Sequence, residues 1–147
     1  FTASFVFMSA VSIARRMGRY SRYNPELDVI ETDVTGVRAT SVEVIDAIFD
    51  ELEAVARANP NRWVLACWKD TKITDSRVAS YYGERTTQAL ALVNGVVRYA
   101  ATDSLTKVHV RAEAVKHRND GMRSNLYDSR EEALDAIRKL RTGKRAI

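Results

Sequence analysis

The nine residues Arg62-Trp63-Val64-Leu65-Ala66-Cys67-Trp68-Lys69-Asp70 constrain the fold more than any other stretch of the chain. Six apolar residues run without interruption from Trp63 to Trp68, and a charged pair closes them. A run that short and continuous reads as a strand buried on both faces, which requires a parallel sheet with helices on each side. Helical patterns precede and follow it. The stretch is therefore expected to be the central strand of an α/β sheet.

The remaining elements follow from local punctuation. Tyr20 and Tyr23 lie in a short strand, Asn24-Pro25-Glu26 makes a turn, and Val29, Ile30 and Val34 mark a returning strand that Thr35-Gly36 breaks. The spacing of Ile45, Ile48, Phe49, Leu52, Val55 and Ala56 predicts a helix over 41–58, with Thr40 and Glu43 as a capping box and Asn59-Pro60-Asn61 as the stop. Its acidic residues Glu43, Asp46, Asp50 and Glu53 are expected on the solvent side. Thr71 to Asp75 reads as a polar loop. A second helix is predicted over 76–94, with Val78, Tyr81, Ala89, Leu92 and Val93 inward and Gly95 as its C-terminal cap. Val96 to Ala101 is the next strand. A third helix carries Leu105, Val108, Ala112 and Val115, and Asn119-Asp120-Gly121 turns the chain. Arg123 to Tyr127 is a last strand. Asp128 and Glu131 box the final helix, whose inner face is Leu134, Ile137 and Leu140, and Gly143 ends it. The sum is an α/β fold: a mixed, mostly parallel five-stranded sheet with about four flanking helices, and right-handed crossovers.

Composition narrows the class. A chain of 147 residues with 46% hydrophobic and 29% charged content suits one soluble globular domain. The net charge of +4 is unevenly spread: residues 26–53 carry nine acidic side chains against Arg38, whereas residues 107–145 are rich in Lys and Arg. Two solvated faces of opposite sign explain this, as would head-to-tail docking or an acidic partner. The single cysteine, Cys67, cannot form an intramolecular disulfide, so a reducing, cytoplasmic setting is expected, with Cys67 as apolar filler.

Residues 1–18 stand apart from the domain expected over 19–147. Phe1, Phe5, Val6, Phe7, Met8, Val11 and Ile13 make the opening the most apolar segment of the protein, with Ser9, Ser12 and Arg16 as a narrow polar stripe at helical spacing. It falls short of the roughly 18 apolar residues that a membrane-spanning helix needs. Three readings stand: an apolar extension that docks a partner or a second copy, a segment packed on its own domain, and an added or upstream remnant, with Met17 as the natural start. An uncovered apolar surface of this extent would limit solubility.

Two segments carry a family resemblance. Asn125-Leu126-Tyr127-Asp128-Ser129-Arg130-Glu131-Glu132-Ala133-Leu134 resembles the short strand, aspartate-serine cap and Glu-Glu-Ala-Leu helix that close the SpoIIAA-like group of single-domain proteins related to the STAS domain. Val96-Val97-Arg98-Tyr99-Ala100-Ala101-Thr102-Asp103 resembles the strand before it, and the likeness spans roughly residues 19–140. The resemblance implies a STAS-like fold with a contact loop after the central strand. That loop corresponds to Asp70, Thr71, Lys72, Thr74 and Ser76, with Ser76 nearest to the family's phospho-acceptor. The aspartate–Ser/Thr–Ser–Gly pattern of sigma-factor regulators is absent. The group is also similar to lipid-binding CRAL-TRIO folds, which implies an apolar ligand as an alternative.

Candidate chemistry is sparse. Open α/β sheets place ligands beyond the carboxyl ends of the strands, which here points to Asp33 and Thr35, to Lys69–Ser76 and to Thr102–Ser104. A helix N-terminus at Ser76 or Ser104 offers a phosphate seat, although capping and turn roles explain the same residues. His109 and His117, eight residues apart, do not chelate one metal from one helix. No cofactor, metal site or catalytic constellation is expected. Tyr81, Tyr82 and Lys72 could line a ligand groove. Lys116, Arg118, Arg123, Arg138, Lys139 and Arg141 form a basic group without the interleaved aromatics that single-strand binders use, so nucleic acid is not expected. The expected function is a non-enzymatic STAS-like interaction module, an accessory subunit or regulator that docks through Phe1–Ala14 onto a protein partner, a second copy or a membrane surface. The alternative is a carrier of a small lipid or nucleotide.

Overall fold

The structure, a computed structural model, describes residues 19–99 and 122–143, with backbone only over 122–126. The opening hairpin pairs β1 (Ser21–Asn24) with β2 (Val29–Asp33), antiparallel, in the register Ser21↔Thr32 to Asn24↔Val29. Its turn forms because Asn24 Oδ1 accepts the N–H groups of Glu26 and Leu27, and Asp28 closes it at φ 54°. Gly36, at φ 73°, ends the strand region as only glycine does without strain.

A two-residue strand, β3 (Arg38–Ala39), precedes helix α1 (Val42–Ala58), and β4 (Trp63–Cys67) follows it. The next short strand, β5 (Lys72–Ile73), leads into α2 (Ser76–Leu90) and then β6 (Gly95–Tyr99). After the gap come β7 (Met122–Tyr127) and α3 (Arg130–Arg141). The main sheet has the order β1-β2-β4-β6-β7, parallel at every junction except β1–β2. The α/β class and the mixed, mostly parallel sheet are as expected, and β4 lies in its middle.

Among the described residues, two helices cover one face of the sheet and one helix the other. On one face Ile30, Val64, Ala66 and Val96 pack with Ile45, Phe49 and Leu52 of α1 and Val78, Tyr82 and Ala89 of α2. On the other, Val29, Leu65 and Val97 pack with Ala133, Leu134, Ala136 and Ile137 of α3. Alternation along β4 thus feeds two cores, and Val64, Leu65 and Ala66 are all buried. Burying a side chain the size of Val64 or Leu65 contributes about 1.5–3 kcal/mol.

Several local expectations are corrected. The N-cap of α1 is Ser41, without a side-chain cap bond, so Thr40 and Glu43 form no box. The cap of α3 is Ser129, whose Oγ accepts the Glu132 N–H, while Glu132 Oε2 accepts the Asp128 N–H. The reciprocal pair sits one residue later than Asp128 and Glu131. Helix α2 stops at Leu90, and Gly95 opens β6 instead of capping the helix. Tyr82 enters the core, its ring edge-on to Phe49 and Trp68 at 5.6 and 5.3 Å, while Tyr81 packs half-buried against that core. The stretch after β4 is not simply a polar loop: Lys72 and Ile73 pair in parallel with Arg38 and Ala39, and Ile73 is buried. The extension Phe1–Gly18, the helix around Leu105–Val115, the histidines His109 and His117, and Thr102–Ser104 lie outside the described residues, as do Lys116, Arg118 and the Arg123 side chain of the basic group.

Candidate functional site

Parallel register sets one residue from each of three strands in a row at the carboxyl edge. Asp33 of β2 is level with Cys67 of β4, and Cys67 with Tyr99 of β6. Because side chains alternate along a strand, residues that share a register row share a face. The row borders a cavity of about 310 Å³, completed by Arg19, Tyr20, Arg22, Glu31 and Thr32. Arg22 arrives because β1 runs antiparallel to β2, which sets the start of one strand beside the end of the other.

Hydrogen bonding orders this row. Asp33 Oδ1 accepts the N–H of Thr35 at 2.9 Å and its hydroxyl at 2.5 Å. The Thr35 hydroxyl proton is thereby committed, so the Cys67 thiol, 3.4 Å from Thr35 Oγ1, acts as donor to it. Burial pushes the Tyr99 phenol well above its ordinary pKa, and the neighbouring Cys67 adds to the shift, so the phenol keeps its proton. Glu31 accepts Asn24 Nδ2 at 2.7 Å on one oxygen and Arg130 Nη2 at 2.9 Å on the other. Burial works to raise its pKa, but the hydrogen bonds from Asn24 and Arg130 outweigh it and hold the carboxyl below its ordinary value. Cys67 is half-buried and borders the cavity, in place of the fully packed filler expected for it.

The contact loop is divided by the same fold. Asp70, Lys72, Thr74 and Ser76 are exposed, whereas Thr71 is buried and its Oγ1 donates to the Val34 carbonyl at 2.8 Å. Ser76 opens α2, but the positive end of that helix is already taken. Asp75 Oδ1 accepts the N–H groups of Arg77 at 2.7 Å and Val78 at 3.4 Å, and the Arg77 bond leads in holding the Asp75 carboxyl below its ordinary pKa. A phosphate at the start of α2 would have to displace that carboxylate.

Of the residues expected to line a groove, Tyr82 lies in the core and Lys72 stands exposed on β5. The Tyr81 hydroxyl instead donates to Asp46 Oδ1 at 2.5 Å. The cavity beside Tyr82 measures about 50 Å³, room for about one or two waters and far below the roughly 300 Å³ at which small-molecule pockets begin.

A third feature overturns the expectation that the α1 acids only face solvent. Buried Arg85 of α2 donates to Asp46 at 2.5 Å, Asp50 at 2.9 Å and Glu53 at 3.2 Å. Burial disfavours its charge, but the hydrogen bonds it donates to Asp50, Glu53 and Asp46 outweigh this and raise its pKa. The Tyr81 hydrogen bond, then that of Arg85, holds Asp46 below its ordinary pKa. The cluster joins α1 to α2, and Arg85 Nη1 and Nη2 are taken up within it while the buried Nε finds no partner among the described residues.

An open groove of about 650 Å³ runs between β1 and α1. Exposed Ala47, Ala54 and Ala58 line it with Tyr20, Tyr23 and Val55. The Arg19 guanidinium lies 4.9 Å over the Tyr20 ring at the point where the described chain begins. Among the described residues, no group of three acidic, His or Cys side chains could hold a metal ion, and no helix is long and apolar enough to cross a membrane.

Sequence reasoning pointed to Asp33 and Thr35 but passed over Tyr99, Glu31 and Arg130. The signal was available: counting equal steps from the end of each parallel strand brings Asp33, Cys67 and Tyr99 into one row. The chain matches no protein-family model, no curated protein and no solved structure.

Proposed function

We propose that the chain is a non-catalytic, STAS-like interaction module, an accessory subunit or regulator within a larger assembly. The observation that carries this reading is the β1–α1 groove, whose Tyr20 and Tyr23 walls and alanine floor open beside Arg19, where the described chain begins. Exposed alanines leave room for another backbone to approach closely, and tyrosines supply apolar area with a polar tip. The apolar residues Phe1, Phe5, Val6, Phe7, Met8, Val11 and Ile13 are the chain's own docking element, and the groove is that of the folded domain. The exposed residues Asp70, Lys72, Thr74 and Ser76 form a second contact surface at the carboxyl edge. The antiparallel edge hairpin and the sequential parallel strands support the STAS-like reading, and the single cysteine supports a reducing, cytoplasmic setting.

The test removes each docking element separately. Deletion of Phe1–Ala14, and Ala54→Arg in the groove, are compared with the full chain by light scattering after size exclusion and by recovery of co-purifying protein. The expected result is a smaller assembled mass or loss of a stoichiometric partner in both. Unchanged mass and unchanged partner in both variants would refute the reading.

A further inference from the structure

We propose that the carboxyl-edge cavity is a binding site for a small molecule bearing a carboxylate or phosphate, held by Arg19 and Arg22 at the mouth and by the Tyr99 hydroxyl at the floor. This goes beyond the docking reading and does not depend on it. The cavity, about 310 Å³, is of ligand size and lies where three parallel strands end.

The balance of donors and acceptors sets the ligand's sign. Both carboxylates that border the cavity are engaged. Glu31 is occupied on each oxygen, by Asn24 and by Arg130, and the Arg130 charge offsets its own. Asp33 accepts twice from Thr35. The cations are less committed. Arg22 reaches Glu31 only at 3.9 Å with its side chain 75% exposed, and among the described residues no carboxylate pairs with Arg19. The Tyr99 phenol keeps its proton and shares it with Cys67, a weak sulfur acceptor that an oxyanion would outcompete. Two guanidinium groups and a phenol O–H, against a single open carboxylate oxygen on Asp33, suit an oxyanion, which guanidinium binds in bidentate fashion. The remaining Asp33 oxygen favours a ligand that also carries a hydroxyl or amino group.

Cys67 supplies the measurement, because it borders the cavity and is the only thiol in the chain. The full chain is treated with iodoacetamide in the presence of increasing inorganic phosphate, succinate or malate at constant ionic strength. Alkylation is followed by intact mass, and calorimetric titration of the same probes reads binding independently. Saturable slowing of Cys67 alkylation, or a saturable heat, is expected for at least one probe. The Arg19→Ala/Arg22→Ala variant should raise the half-saturating concentration by about tenfold or more, Tyr99→Phe should raise it less, and Arg38→Ala, on β3, should leave it unchanged. Phosphate alone binding identifies a phosphoryl ligand, and the diacids binding identify a carboxylate. Malate binding more tightly than succinate assigns the hydroxyl to Asp33. Both arginines are exposed, so the double variant keeps its fold, and circular dichroism checks this. No saturable response to any probe by either measurement, or an equal response in the double variant, would overturn the proposal.

Discussion

Glu51 ties a helix to a strand edge: its Oε1 accepts the backbone N–H of Tyr20 at 2.7 Å and that of Ser21 at 2.8 Å. Two amides at the outermost strand thus receive a carboxylate from α1. Unpaired edge amides invite pairing with other chains, and this side chain occupies two of them. Glu51→Ala is expected to cost about 2 kcal/mol, in the range for hydrogen bonds to a charged group. Amide exchange at Tyr20 and Ser21 should quicken while that of β4 stays protected. Hydrogen exchange resolved by residue checks this, and unchanged protection at Tyr20 and Ser21 would count against the bond.

Arg85→Met tests the clamp between α1 and α2. The substitution keeps much of the side chain's length but leaves Asp46, Asp50 and Glu53 without their common cation. Arg85 is buried, but Asp46 and Asp50 have side chains 40% and 73% exposed and stay hydrated without it, so the loss should be about 1–2 kcal/mol, below that of a fully buried pair. The expected result is a lower urea midpoint with an unchanged slope. A variant as stable as the parent would show that apolar packing against Phe49, 5.5 Å from the guanidinium, carries the contact instead.

Acid should destabilise the fold through a small set of carboxylates. Asp46 is held below its ordinary pKa chiefly by Tyr81, Asp75 by the Arg77 N–H, and Asp28 by Tyr23, while Glu31 is held down by Asn24 and Arg130 against its burial. A depressed folded-state pKa means that the unfolded chain takes up protons first as pH falls. The stabilisation is therefore complete above the ordinary values of about 3.9 for Asp and 4.3 for Glu, and is lost as pH drops through them toward the folded-state values. Urea midpoints measured from pH 7 to pH 3 should hold level and then fall below about pH 4.5. Glu31→Gln should flatten part of that fall, and an identical profile in the variant would exclude Glu31 as a contributor.

The caps give a contrast within one molecule. Asp75→Ala and Ser129→Ala each remove a side chain that accepts a first-turn N–H, and each should cost about 1 kcal/mol. Thr40→Ala removes no such bond, because α1 is capped at Ser41 without one. It should shift stability by no more than about 0.5 kcal/mol. Thermal denaturation of the three variants checks the order, and a large loss for Thr40→Ala would reverse the assignment.

What could be read in advance was governed by short-range pattern. The unbroken run Trp63–Trp68 located β4, and the 3.6-residue spacing of Ile45, Ile48, Phe49 and Leu52 located α1 with its buried face. What escaped depends on pairing across distance. β3 and β5 are two residues each, too short for periodicity, and exist because Arg38–Ala39 meets Lys72–Ile73. Tyr81 and Tyr82 are adjacent on α2, and small errors in helical phase decide which one enters the core. Asp46, Asp50 and Glu53 look like a solvated face until Arg85, more than thirty residues on, is brought against them. The cavity escaped for the same reason, since its lining comes from the ends of four strands.

The unequal standing of the strands has a consequence for redesign. β2, β4 and β6 each have two neighbours, whereas β1 is held by β2 on one side only. Tyr20, Tyr23, Ala47, Ala54 and Ala58 all lie along that one-sided margin. Replacing the three exposed alanines leaves both apolar layers untouched, whereas Tyr20 and Tyr23 pack against the core on the α1 side. The docking surface proposed there can therefore be altered at those alanines, one side chain at a time, while the interior stays as it is.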